Sequence, residues 1–110
     1  MTDTDRELLE WAAKAIGCIY SCSTLFSEQD EIDFWNPLED DGDALRLAIK
    51  LGLMIVVWRE EKMSYAGEEK MSYAGNEDWE GIFEKHQDSP AVATRLAIVR
   101  AAAAIGRRMP

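Results

Sequence analysis

A chain of 110 residues is long enough for one hydrophobic core, and its 47% apolar composition excludes a disordered acidic polymer, so we expect one folded domain over residues 1–110. Its formal net charge of −9 at pH 7 argues against direct nucleic-acid binding, because phosphates are bound by clustered lysine and arginine. The first residues are too acidic for a signal peptide and no apolar run approaches the ~18 residues that span a bilayer, so we expect a cytoplasmic protein without membrane contact.

The first predicted elements are a helix and a strand. Thr4 and Glu7 form a capping box and Gly17 is typical of a helix end, which predicts a helix over residues 5–16. The composition of residues 18–26 favours a strand. The acidic stretch after it indicates a solvated loop.

A second helix and a buried strand follow. Acidic residues crowd the expected helix start, where they meet the positive end of the helix dipole, and Gly52 closes a helix over residues 41–51. The side of this helix expected to face inward consists of Ala44, Leu45, Ala48, Ile49 and Gly52. The run of residues 53–58 is β-branched at its centre and predicts a central strand that is apolar on both faces.

The octapeptide EEKMSYAG occurs twice without a change, at residues 60–67 and 68–75. Two short copies are too few for a solenoid, so the duplication lengthens one connection. The pair predicts either a hairpin with Gly67 near its turn or one paired copy beside a bulging one, and a loop insert is the simpler interpretation. A further strand at the edge of the sheet is predicted around Trp79, Gly81, Ile82 and Phe83.

The third helix has the strongest signals. Ser89 is an N-cap, Pro90 suits the first helical position, and Gly106 predicts the helix end. Its predicted apolar stripe consists of Val92, Leu96, Val99 and Ala103. Together these elements predict an α+β fold, with a small antiparallel sheet of about three to four strands packed with three helices.

Few residues carry the patterns of catalysis. His86 is the only histidine, so a Ser–His or Cys–His pair would have to be assembled from distant positions, and no glycine-rich phosphate loop is present. Cys18 and Cys22 would face the same side of a strand, but two cysteines are too few for a structural zinc site, and we expect reduced thiols. We therefore expect no enzyme activity and no cofactor.

The densest carboxylate cluster lies at the start of the second helix. Its members are Glu39, Asp40, Asp41 and Asp43. Oxygen ligands suit Mg²⁺ or Ca²⁺, which keeps open a small metal-dependent enzyme or regulator with His86 nearby. Helix capping and dipole compensation explain the same residues without a metal, and we assign no metal site.

Three segments carry a resemblance to known proteins: RELLEWAAKAIG, WNPLEDDGDALRLAIKLGL and SPAVATRLAIVRAAA. In this order they resemble small phage and prophage proteins of the NinX-like group. The central turn NPLEDDGD and the duplicated octapeptide depart from that group. The resemblance implies an accessory protein of a phage or prophage, acting in the bacterial host, and carries over no catalytic activity and no functional residue.

The favoured function is therefore non-catalytic protein–protein interaction. An acidic surface would bind a host or phage protein with a basic surface, in one version inhibiting a host defence or nucleic-acid-processing protein by charge mimicry. The residues expected to carry this surface are Asp40, Asp41, Asp43, Glu60, Glu61, Glu68 and Glu69. An alternative is a structural homodimer formed through the KMSYAG arm or the alanine-rich last helix.

Overall fold

The computed structural model describes the backbone of residues 3–71 and 77–110, and the side chains of residues 4–67 and 82–110. Within these ranges the chain forms three helices and two antiparallel three-stranded sheets, which confirms the predicted α+β class. In chain order the elements are α1 (Asp3–Ala15), β1 (Ile19–Ser21), β2 (Thr24–Phe26), β3 (Glu31–Asp33), α2 (Asp41–Leu51), β4 (Met54–Trp58), β5 (Met63–Met71), β6 (Glu77–Lys85) and α3 (Pro90–Arg108).

The first sheet replaces a single predicted strand. Residues 18–26 fold into the β1–β2 hairpin, with Cys22 and Ser23 in its turn at φ 50° and 66°. Two consecutive residues at positive φ make a turn of type I′, whose twist suits a hairpin. Cys18 is buried ahead of β1 and Cys22 is exposed, so the expectation that they share one side of a strand is wrong. The predicted acidic loop contributes β3, which pairs with β2.

Helix α2 has the predicted bounds because both of its ends are capped locally. The Asp40 side chain accepts the Asp43 N–H at 2.7 Å, and Gly52 adopts the left-handed conformation, φ 67°, at the C-cap. Its inward face differs from the predicted one. Ala44, Leu47 and Ala48 are buried, whereas Leu45 and Ile49 are 54% and 68% exposed. The helix is turned so that these two side chains lie outside the core.

The second sheet has the order β4–β5–β6, and this order corrects the position of β4. The predicted central strand is an edge strand, because the first octapeptide copy supplies the centre. Within β5, residues 63–67 pair with both β4 and β6, and Gly67 lies opposite Met54 and Gly81 instead of at a turn. The edge position predicted for the strand around residues 79–83 is confirmed by β6. Residues 72–75 of the second copy lie outside the described residues.

Helix α3 is the centre of the core. It packs against α1, α2 and all three strands of the second sheet. Ser89 caps it as predicted, accepting the Val92 N–H at 3.2 Å, but the helix continues through Gly106 to Arg108. Gly106 lies inside the helix and against α1, where a Cβ would overlap the Trp11 carbonyl oxygen, so this glycine permits close helix packing instead of marking a helix end. The stripe is also shifted, since Val92 is 51% exposed; the buried residues are Ala93, Ala97, Ile98, Val99, Ala101, Ala102, Ala103 and Gly106.

Candidate functional site

A chain of polar side chains, two of them buried and the third half-buried, joins the second sheet to α3. Ser64 on β5 is fully buried and His86, directly after β6, is 5% exposed. Ser64 Oγ lies 2.8 Å from His86 Nε2 and 2.8 Å from Thr94 Oγ1 on α3. Sequence reasoning missed this contact, because 22 residues separate Ser64 from His86 and neither belongs to a motif.

The directions of these hydrogen bonds follow from the Pro90 carbonyl oxygen, which can only accept. Thr94 Oγ1 donates to it at 2.7 Å and has then used its only proton. Thr94 therefore accepts from Ser64, and Ser64 accepts from His86 Nε2. The arrangement fixes a proton on this ring nitrogen.

This order of donors is the reverse of the one that a nucleophilic serine needs. A catalytic histidine accepts the hydroxyl proton, which turns the oxygen into a nucleophile. Here His86 Nε2 donates and the Ser64 proton points to Thr94. The geometry therefore gives these side chains a structural role in joining β5, the end of β6 and α3.

The acidic cluster at the start of α2 is held by hydrogen bonds and ion pairs. Asp43 is buried and accepts from the Asn36 N–H at 2.9 Å and from Arg46 at 2.7 Å. Asp41 accepts from Arg95 of α3 at 2.6 Å. Among the described residues, no three His, Cys, Asp or Glu side chains are grouped to hold a metal ion. In the described part of the chain, the cluster therefore does not provide the set of donors that the alternative of a metal site requires.

The seven acidic residues predicted to form one surface do not all do so. Asp43 is only 7% exposed, so the expectation that it lies on an acidic surface is wrong: its carboxylate accepts the Asn36 N–H in the connection before α2. Asp40 and Asp41 remain accessible, with side chains 59% and 79% exposed. Glu60 and Glu61 are exposed in the β4–β5 turn, between Arg59 and Lys62, which balance their charge. The side chains of Glu68 and Glu69 lie outside the described residues.

An open groove of about 440 Å³ lies where α2, β4 and the first half of α3 meet. Its lining residues are Asp41, Ala44, Leu45, Ile55, Val57, Pro90, Ala91, Thr94, Arg95 and Ile98. Most of these side chains are apolar, so the groove favours apolar groups of a ligand or partner. We call it the α2–β4 groove.

Exposed apolar side chains extend the α2–β4 groove across the surface. Leu45 and Ile49 follow Asp41 at four-residue intervals along α2 and therefore form one line on the helix. Leu45, Ile49 and Val57 are 54%, 68% and 44% exposed. A contiguous apolar surface of this kind marks an interaction site more often than scattered exposed residues do.

The start of α2 forms one rim of the groove, and of its acidic residues Asp41 lines the groove itself, beside its ion-pair partner Arg95. Glu39, Asp40, Asp41 and Asp43 meet two arginines, because Arg46 pairs with Asp43 and Arg95 with Asp41. The rim is therefore net negative, in keeping with the charge of the whole chain. An apolar groove with one negative rim can bind a basic, partly apolar surface.

Comparisons with known proteins leave this site to be interpreted from its own chemistry. No protein-family model, curated protein or solved structure matches the chain. In the described ranges, no helix combines the length and the apolarity required to cross a membrane.

Proposed function

We propose that this chain is a non-catalytic protein-interaction module that binds a partner with a basic surface. The observation that carries the proposal is the α2–β4 groove with its acidic rim. The buried Ser64–His86 pair is the arrangement closest to a catalytic one. The Ser64 hydroxyl proton points to Thr94, so His86 does not accept it and does not activate the serine oxygen. A binding role agrees with both observations.

Apolar contact and charge would contribute differently to this binding. Burial of Leu45, Ile49 and Val57 stabilises the complex in proportion to the apolar area removed from water. The charge of −9 attracts a basic partner and speeds its encounter, an effect that salt screens over about 10 Å at 0.1 M. We expect salt to weaken binding without abolishing the apolar contribution.

The biological setting is also a proposal. The resemblance of three segments to NinX-like phage and prophage proteins supports an accessory protein that acts inside a bacterial host. An acidic protein that covers a basic groove on a host defence or nucleic-acid-processing protein would inhibit it by charge mimicry. This version requires a partner whose binding surface is strongly basic.

The test is capture of partners from bacterial lysate with three tagged baits at low and moderate salt. The baits are the natural chain, Leu45→Lys in the groove, and Ile19→Lys as matched control, since Ile19 is 70% exposed on the other sheet. We expect a basic protein, identified by mass spectrometry, with the natural chain and Ile19→Lys at low salt, and several-fold less with Leu45→Lys. Equal recovery with both lysine variants would remove the groove from the proposal, and salt-independent recovery would remove charge mimicry.

A further inference from the structure

The outer edge of β4 is an unusual feature of this fold. β4 pairs only with β5, so one row of its backbone N–H and C=O groups has no strand partner within the described sheet. Its sequence, MIVVW, contains no charge, proline or glycine. Natural proteins commonly protect such edges with lysine, proline or a bulge, because an open edge pairs with other chains. The β4 edge lacks these protections.

We infer that the partner docks as an extended strand along the open edge of β4, adding a fourth strand to the second sheet. This inference rests on the proposed function and specifies how the α2–β4 groove is used. The occupant is a segment with apolar side chains at alternate positions and lysine or arginine at the end that lies beside Asp40 and Asp41. Main-chain hydrogen bonds give such complexes affinity, and pockets for alternate side chains give them specificity.

The alternation of β4 explains the apolar half of this pattern. Ile55 and Val57 point to one face of the sheet and line the α2–β4 groove. An added strand continues that face, so every second side chain of it enters the groove. There it meets Leu45, which is 54% exposed without a partner strand. Apolar side chains are therefore required at those alternate positions.

The charges favour a basic segment over a second copy of this chain. Each copy carries −9, and pairing β4 with β4 of another copy would bring two acidic molecules together. Asp41, with its side chain 79% exposed, lies at the groove, and Asp40 beside it is 59% exposed. Asp41 already pairs with Arg95 and Asp40 caps α2, but both carboxylates stay accessible enough to accept a second hydrogen bond from a lysine or arginine at the end of an added strand.

The first probe is a peptide of alternating valine and threonine flanked by lysines, compared with the same peptide flanked by glutamates. We expect the lysine peptide to bind at low salt and to slow amide hydrogen exchange at residues 54–58, with binding at least about tenfold weaker for the glutamate peptide. A peptide N-methylated on alternate backbone nitrogens, made in both registers, is the control. One register should lose binding, because it removes the N–H groups that face β4.

The outcomes separate the docking mode from the proposed function. Equal binding of both N-methylated peptides, or no binding of the lysine peptide, would overturn strand addition. Lysate capture that still depends on Leu45 would then leave the interaction module in place. A dimer found by light scattering and dissociated by the lysine peptide would instead assign the β4 edge to a second copy of this chain.

Discussion

At the scale of single residues, Ser64 is the buried centre of a chain of hydrogen bonds. It accepts from His86 Nε2 and donates to Thr94 Oγ1, at 2.8 Å each, in a fully buried position. Replacing Ser64 with alanine removes both hydrogen bonds at once and leaves the His86 N–H without its acceptor. An unsatisfied buried donor costs about 1–3 kcal/mol, so we expect Ser64→Ala to lower the free energy of unfolding by that amount.

Urea unfolding followed by circular dichroism measures this difference. Ser21→Ala is the matched control, because Ser21 is exposed on β1 and its hydroxyl donates to the Cys22 sulfur at 3.8 Å, a weak acceptor. We expect the control to change stability by less than about 0.5 kcal/mol. Equal stability of the two variants would show that His86 does not depend on Ser64 for a partner.

Residue-level prediction from the sequence succeeds where the physics is local. The caps Asp40 and Ser89 act within three residues of themselves, and both helix starts agree with the predicted ones. The contact of Ser64 with His86 depends on strand register and on α3, which no local pattern encodes. The acidic candidates were identified by residue type alone, which does not reveal that Asp43 is buried.

At the scale of elements, α1 and α3 approach each other at Gly106. A Cβ there would overlap the Trp11 carbonyl oxygen and lie 2.9 Å from its carbon, and both atoms belong to backbone that cannot turn aside. Gly106→Ala must push the two helices apart. We expect it to lower the unfolding free energy by about 1–3 kcal/mol, as overpacking does, despite the better helix propensity of alanine.

Gly42→Ala is the control for this prediction, since Gly42 is also within a helix. A Cβ there meets only side-chain ends, the Asp40 carboxylate at 3.1 Å and the Arg46 guanidinium at 3.3 Å. Arg46 is exposed enough to move, whereas a shift of Asp40 weakens its bond to the Asp43 N–H and offsets the better helix propensity of alanine, so we expect a change within about 1 kcal/mol of zero. Thermal and urea unfolding of both variants test the pair. A stable Gly106→Ala protein would contradict the close helix packing.

Local end signals predicted both bounds of α2 and the start of α3, but Gly106 predicted the end of α3 wrongly. Helix α2 has the predicted bounds because charged residues and Gly52 mark its ends. The β1–β2 hairpin was missed because its turn is Cys22–Ser23, without the Asn-Gly or Asp-Gly pair that usually marks a type I′ turn. The edge position of β4 was missed because its apolar sequence is typical of a buried central strand.

At the scale of the whole molecule, the net charge predicts a basic partner, and the α2–β4 groove is the place that we propose for it. Composition shows −9 without showing where apolar and acidic surfaces meet. The α2–β4 groove arises because the two helices do not fully cover Ile55 and Val57 of β4, and because Leu45 of α2 lies outside the core. Such a surface depends on the packing of elements far apart in sequence, and periodicity alone assigned Leu45 to the core.

Deletion of one octapeptide copy tests whether the outer part of the second sheet is needed for folding. Deleting either copy of EEKMSYAG gives the same chain, in which Gly67 is followed by residues 76–80. The five residue pairs of 63–67 with β4, and of 63–67 with residues 81–85 of β6, remain possible. Only the pairs of residues 68–71 with 77–80 are lost, and residues 76–80 become a hairpin connection of a common length.

We therefore expect the shortened chain to fold with an unfolding free energy within about 1 kcal/mol of the natural one, because connection length contributes weakly. Urea unfolding measures the stability, and size exclusion with light scattering measures the oligomeric state, which should stay the same. Ala66→Glu in the shortened chain is the control, since Ala66 is fully buried against the core and a charge there should prevent folding. A loss of several kcal/mol, or a change of oligomeric state, would show that the outer β5–β6 pairs stabilise the fold or join two copies.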